Sequence, residues 1–124
     1  MERQRHATTK GPAEWFTGDV LMDSVAETHG EPSAGVAFVR FAPGARSAWH
    51  THSNGQTLHV TEGEGRFQTR GEAVVVIRPG DIIWIPPDEW HWHGAAPDRF
   101  MTHLAISEGT PTWGDHVTDE EYNA

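Results

Sequence analysis

Glycine and proline interrupt this chain so often that only short strands fit between them. Turn-forming groups stand at Pro43-Gly44, Ser53-Asn54-Gly55, Gly63-Glu64-Gly65, Pro79-Gly80 and Pro86-Pro87. Several segments between them are rich in β-branched or aromatic residues, and no long stretch has the apolar periodicity of a helix. Strands of about five residues at roughly 8–12-residue spacing indicate an all-β barrel or sandwich.

The same pattern places the individual elements. We expect strands over residues 36–41, 45–52, 56–62, 66–69, 73–77, 81–85, 91–94 and 100–106, with a shorter one around Val20 and Met22. The Ser53-Asn54-Gly55 turn can reverse the chain, so the strands before and after it are expected to lie side by side. Thr118-Asp119-Glu120-Glu121 has the spacing of a capping box and predicts a short C-terminal helix. A length of 124 residues predicts one domain.

Composition excludes several classes of partner. The formal net charge is −9 and no basic cluster is present, which argues against nucleic acids and anionic membranes. No apolar run approaches the length of a membrane-spanning helix, and no secretory signal is visible. Cysteine is absent, so thiol chemistry is excluded and a cytoplasmic location is expected.

Histidines occur in two pairs with one residue between the partners. His50 and His52 share one face of a strand because residues two apart point the same way, and Gln56 follows after the turn. His91 and His93 repeat the spacing, and either one or both of them can reach the same point. Three imidazoles and an amide oxygen suit a divalent transition metal, whereas solvated surface histidines are the alternative.

Other residues are assigned by strand alternation. His103 shares a face with Met101 and Ala105, so it is either a core histidine bonded to a backbone carbonyl or, if that face lines the lumen, a cavity histidine. Alternation also predicts that Ala37, Val39 and Trp84 form the lumen wall. The remaining histidines are expected to be solvated or without function; they are His6, His29, His59 and His116.

Two blocks resemble the motifs of a known superfamily. Gly44-x5-His50-x-His52-x3-Gln56-x6-Gly63 (residues 44–63) resembles the first cupin motif, with Gln56 where most members carry a glutamate. Residues 80–95, with Gly80-x5-Pro86-x-Asp88-x2-His91, resemble the second motif, although Asp88 replaces its usual glycine and Ala95 its final asparagine. The resemblance implies one cupin jelly-roll barrel over residues 1–124, with four metal ligands: His50, His52, Gln56 and His91.

A closer resemblance extends over nearly the whole chain. Residues 11–18, 43–52, 91–97, 101–106 and 116–120 are similar to the bacterial manganese-dependent hydroxynitrile lyases, in which glutamine takes the glutamate ligand position. This resemblance implies manganese as cofactor, although iron, zinc or nickel also suit such ligands. It implies active-site roles for His93 and His103. Ser107 stands at a pocket position where the family leads us to expect glutamine.

The implied reaction is cleavage of a small cyanohydrin, with His93 as general base and His103 assisting the departing cyanide. Two other functions remain open at this stage. One is a cupin dioxygenase acting on a small oxygenated substrate, and the other is a non-catalytic module that binds a small ligand through its metal. Edge strands need covering, so a homo-oligomer, dimer or tetramer, is expected. The Trp15-Phe16 segment is a candidate cover within one chain or across a dimer.

Overall fold

The computed structural model describes residues 1–31 and 33–124, and these ranges contain thirteen strands and one short helix. The elements are β1 (Thr9–Lys10), β2 (Phe16–Thr17), β3 (Val20–Glu27), β4 (Ala34–Phe41), β5 (Arg46–Ser47), β6 (His50–His52), β7 (Gln56–Gly63), β8 (Gly65–Thr69), β9 (Val75–Ile77), β10 (Ile82–Ile85), β11 (His91–Ala95), β12 (Met101–Glu108), β13 (Pro111–Trp113) and α1 (Asp119–Tyr122). The helix described within these ranges has four residues, too few to span a bilayer.

The strands form two antiparallel sheets. The first has the order β1-β3-β4-β12-β7-β10. In the second, β11 lies between β8 on one side and β5 and β6 on the other, with β9, β2 and β13 at the margins. Side chains from both sheets meet in one core, where Val39 and Leu58 of the first sheet pack with Phe67 and Ala95 of the second. The predicted all-β jelly-roll barrel is therefore confirmed.

The turn after the first histidine pair does not form the expected hairpin. The predicted strand 45–52 is two strands, and β6 pairs with β11 and β13, whereas β7 pairs with β10 and β12 in the other sheet. The turn is a corner between the sheets. Gly55 has φ +91°, and a Cβ there would lie 2.9 Å from the carbonyl oxygen of Ile85. Turn-forming residues show that the chain changes direction here. The packing of Gly55 against β10 decides that the next strand joins the first sheet.

The N-terminal segment covers the barrel within the same chain. Phe16 of β2 pairs with Ser47 of β5, and the ring of Trp15 stacks on the ring of Trp113 with centroids 5.0 Å apart. Strands β1, β2 and β13 were not expected from the sequence because each is only two or three residues long. Residues of all three short strands line a cavity between the sheets: Thr9, Phe16, Pro111 and Trp113.

The predicted C-terminal helix is confirmed, together with its capping box. Thr118 accepts a hydrogen bond from the backbone N–H of Glu121, and the Glu121 carboxylate accepts one from the backbone N–H of Thr118. Tyr122 packs in a second apolar cluster with Trp49 and Trp92, separate from the main core. Because Trp49 directly precedes His50, the C-terminal segment braces the histidine-bearing strand.

Candidate metal centre and cavity

Two neighbouring strands and one facing strand position the predicted ligands. β6 and β11 pair antiparallel in one sheet, with His50 directly opposite His91. Gln56 begins β7 in the other sheet, where it pairs with Ser107. The sheet corner at Ser53–Gly55 therefore brings Gln56 to the histidines across the barrel, and both histidine pairs lie on strands of the same sheet.

The imidazoles form a compact buried cluster. Candidate ligand nitrogens of His50, His91 and His93 lie within 4.8 Å of one another. His52 is outside that group of three, but its ring centroid is 5.1 Å from that of His50. The Gln56 amide oxygen lies 3.1 Å from Nε2 of His91. All five side chains are at most 7% exposed.

Backbone carbonyls orient two of the rings. Nδ1 of His50 donates to the carbonyl of Ala48, and Nδ1 of His91 donates to the carbonyl of Glu89, each over 2.8 Å. A carbonyl oxygen only accepts, so these contacts assign the proton of each neutral ring to Nδ1. Nε2 of both rings then carries a lone pair, the arrangement that metal-binding histidines use.

These side chains fit a cation. Nε2 of His91 and the amide oxygen of Gln56 are both acceptors, yet they face each other at 3.1 Å. A proton between them is disfavoured near neutral pH because burial lowers the pKa of His91 to about 4. Both ring nitrogens of His52 are buried and, among the described residues, have no hydrogen-bond partner. A shared divalent cation would satisfy these lone pairs.

Burial keeps the whole cluster neutral. It lowers the pKa of His52 to about 4, and it holds the pKa of His50 well below the ordinary histidine value, with neighbouring imidazoles adding to the effect. The same cause lowers the pKa of His103 to about 4 and that of His93 well below its usual range. Neutral imidazole is both the metal-binding form and the form that accepts a proton.

His93 and His103 form a second pair next to the cluster. Nδ1 of His93 lies 3.0 Å from Nε2 of His103, across the barrel, so one proton lies between them. Ser47 accepts a hydrogen bond from the backbone N–H of His93 and helps to hold its strand. In the described part of the chain, Nε2 of His93 and Nδ1 of His103 have no partner. His103 therefore takes the cavity position, not the carbonyl-bonded core position.

A cavity of about 370 Å³ opens onto both sets of histidines. Its polar lining includes His50, His52, Gln56, His93 and His103. Its apolar wall includes Ala37, Val39 and Ala105, and Ser107 lies beside them. His91 does not line the cavity and is completely buried. The volume and the mainly apolar wall suit one small organic molecule.

Trp84 does not belong to this cavity, and its predicted place in the lumen wall is wrong. Its side chain is 56% exposed on β10, whereas Ile85 is buried with 1% exposure. Alternation separates the two faces of a strand correctly, but it does not say which face is inside when both are apolar.

The cavity also contains residues whose placement the sequence did not predict. Trp113 of β13 lies with its ring centroid 4.7 Å from that of His50. Trp15, Phe16 and Pro12 contribute from the N-terminal segment. The Trp15-Phe16 pair was an aromatic signal in the sequence, but only the folded chain shows that it lines the cavity. The four histidines expected to lack a site role are exposed: His6, His29, His59 and His116.

Comparison with known proteins gives consistent results. The sequence model of the cupin domain family matches residues 37–106. An (R)-mandelonitrile lyase of Granulicella tundricola is 52% identical over 120 residues, which cover 94% of this chain and 92% of that protein. The crystal structure of a cupin-like protein from Thermotoga maritima superposes with a TM-score of 0.89 at 42% identity, over 93% of this chain and 90% of the other.

A more distant structure agrees in fold alone. A cupin 2 conserved barrel domain protein from Rhodopseudomonas palustris has a TM-score of 0.71 at 18% identity, covering 93% of this chain and 79% of that one.

Proposed function

This chain belongs to the cupin family, and on that premise we propose that it is a metal-dependent hydroxynitrile lyase that cleaves cyanohydrins or forms them. One observation carries the proposal: three of the four proposed ligands, His50, His52 and Gln56, line the same small cavity as the His93–His103 pair. The 52% identity with an (R)-mandelonitrile lyase supports this reaction class.

Four side chains would hold the metal: His50, His52, Gln56 and His91. We assign His93 to proton transfer because it contacts His103 and lines the cavity, whereas His91 is buried behind it. When bound, a divalent transition metal supplies Lewis acidity toward a substrate oxygen. We propose manganese on the family resemblance. All four ligands are neutral, so the protein adds no negative charge that would weaken this acidity.

The histidine pair carries the proton transfers. With its Nδ1 proton donated to His103, neutral His93 presents the Nε2 lone pair to the cavity and accepts the hydroxyl proton of the cyanohydrin. The carbon–carbon bond then breaks, the electron pair leaves on cyanide, and the hydroxyl carbon becomes a carbonyl. His93 passes its Nδ1 proton to Nε2 of His103, and His103 gives its Nδ1 proton to cyanide, which releases hydrogen cyanide. Both rings are then neutral with their tautomers exchanged, and proton exchange with solvent after product release resets them.

The cavity wall would select the substrate by size. Ala37 and Val39 are small and line the same cavity as the histidines, which leaves room for a ring or a short chain on the hydroxyl carbon. The apolar wall holds this substituent and excludes water from the reacting atoms.

Anaerobic cyanide release from mandelonitrile by the manganese-loaded protein tests the proposal. We expect His93→Ala to lose at least about 100-fold in kcat, as removal of a general base typically does, while retaining stoichiometric manganese. His59→Ala is the matched control, because His59 is exposed on the outer face of β7, and it should retain full activity. Stoichiometric manganese without cyanide from any aryl or alkyl cyanohydrin would refute the lyase assignment. Oxygen consumption with a small oxygenated substrate would point to a dioxygenase instead.

The expected homo-oligomer and cytoplasmic location stay predictions. The oligomer has a candidate surface at the edge strand β10, where Ile82 and Trp84 are 69% and 56% exposed.

A further inference from the structure

The orientation of the Gln56 amide decides whether this residue is a ligand at all. An amide offers one ligating atom, its oxygen, while its NH2 group has only donor hydrogens to present to a cation. In the structure Nε2 of Gln56 donates to the hydroxyl of Ser107 over 2.9 Å, and the amide oxygen faces Nε2 of His91 at 3.1 Å. This is the ligating orientation.

The opposite orientation has a partner of its own. If the amide turned over, its NH2 group would donate to the lone pair on Nε2 of His91, which is an ordinary neutral hydrogen bond. Gln56 is only 4% exposed, so water cannot easily replace a missing partner. Among the described residues, Ser107 and His91 are the side chains within hydrogen-bond distance of the Gln56 amide. The Ser107 hydroxyl can donate as well as accept, so it can pair with the amide in either orientation. Without that hydroxyl, the ligating orientation would leave the buried NH2 group with no acceptor, whereas the turned-over amide would still donate to His91.

We propose that Ser107 is a positioning residue, which holds Gln56 with its oxygen toward the metal by accepting the amide N–H. The sheet register supports this role, because Ser107 of β12 lies directly opposite Gln56 of β7. Ser107 acts through Gln56 and need not touch the metal or the substrate. The inference rests on the proposed function, since it requires that a metal is bound.

Titration of the purified metal-free protein with Mn²⁺ against a fluorescent chelator measures the effect without any turnover. Ser107→Thr and Ser107→Val are the matched pair, because the two side chains have nearly the same shape and only Thr keeps the hydroxyl. We expect the Val variant to bind Mn²⁺ about 10- to 100-fold more weakly than wild type, and the Thr variant to stay close to wild type. Circular dichroism establishes that each variant is folded, and Ser107→Ala repeats the test with less bulk.

A second background separates positioning from general packing. Gln56→Glu replaces the amide with a carboxylate, which has two equivalent oxygens, so either orientation presents a ligand. In that background Ser107→Val should cause no measurable loss of Mn²⁺ affinity. An equal loss in both backgrounds, or no loss in the Gln56 background, would overturn the role of Ser107 while leaving the metal site in place. A wild-type protein that binds no Mn²⁺ would overturn the proposed metal site and this inference together.

Discussion

Acidification should unfold the metal-free protein because its buried imidazoles must remain neutral. In the folded chain the pKa values of His52, His91 and His103 are about 4, while an unfolded histidine titrates near 6.5. Between these two values the unfolded state binds more protons than the folded state, so the free energy of unfolding falls as the pH falls. The folded state has its full stability above about pH 6.5, where the histidines are neutral in both states. This stability is lost progressively as the pH falls toward 4.

The magnitude follows from these pKa values. Each of the three imidazoles costs about 2 kcal/mol of folding free energy between pH 7.5 and pH 5, or about 6 kcal/mol together if they titrate independently. A domain of this size has a total stability of about 5–15 kcal/mol. Carboxylates with lowered pKa values, such as Asp23 and Glu121, lose their contribution only at more acidic pH. The histidines therefore dominate this interval.

Urea unfolding of the chelator-treated protein, followed by tryptophan fluorescence, measures this pH dependence. Wild type should lose several kcal/mol between pH 7.5 and pH 5. His103→Gln should lose about 2 kcal/mol less over the same interval, because it removes one buried titrating ring. His59→Gln, which changes an exposed ring on the same sheet, should behave as wild type. A free energy of unfolding that is equal at the two pH values would refute the reasoning.

Two further predictions concern the brace behind the site and the cavity wall. Arg46→Met should lower the free energy of unfolding by about 2–4 kcal/mol in urea, because buried Arg46 donates to the carbonyl of Val117 over 2.7 Å and holds the C-terminal segment. Arg99→Met, in an exposed turn, should cost nearly nothing, and equal losses in both variants would contradict the bracing role. Val39→Phe should raise KM for mandelonitrile about 10-fold or more, because the larger side chain fills the cavity. Trp84→Ala should leave KM unchanged, because Trp84 is exposed outside the cavity. If steady-state kinetics showed the larger change for Trp84→Ala, Trp84 would belong to the wall.

The class of the fold followed from local chemistry. Glycine and proline limit strand length wherever they stand, and a strand buries alternate side chains, so short strands between frequent turns leave few options beyond an all-β barrel or sandwich. The C-terminal helix was predictable for a similar reason, since the capping box of Thr118 and Glu121 lies within four residues. Spacing within a strand also placed His50 and His52 on one face before any packing was known.

Partners far apart in the sequence were harder to predict. The sequence contained the four expected metal ligands, but it did not show that Gln56 lies in the sheet facing the histidines. Packing at Gly55 decides this, because it turns the chain into the facing sheet. The inward face of β10 was also decided by packing, because Trp84 and Ile85 are both apolar and only one can enter the core.

The sequence by itself therefore determined the all-β class, the side chains that share a face of each longer strand, and the side chains that offer possible ligand atoms, since these depend on neighbours within a few positions. Only the tertiary structure decided that Gln56 donates a hydrogen bond to Ser107, that His93 hydrogen-bonds to His103, and that Trp15 lines the cavity. Those contacts depend on register and on sheet-to-sheet packing. Both are set by burial of the whole core, to which residues from every part of the chain contribute.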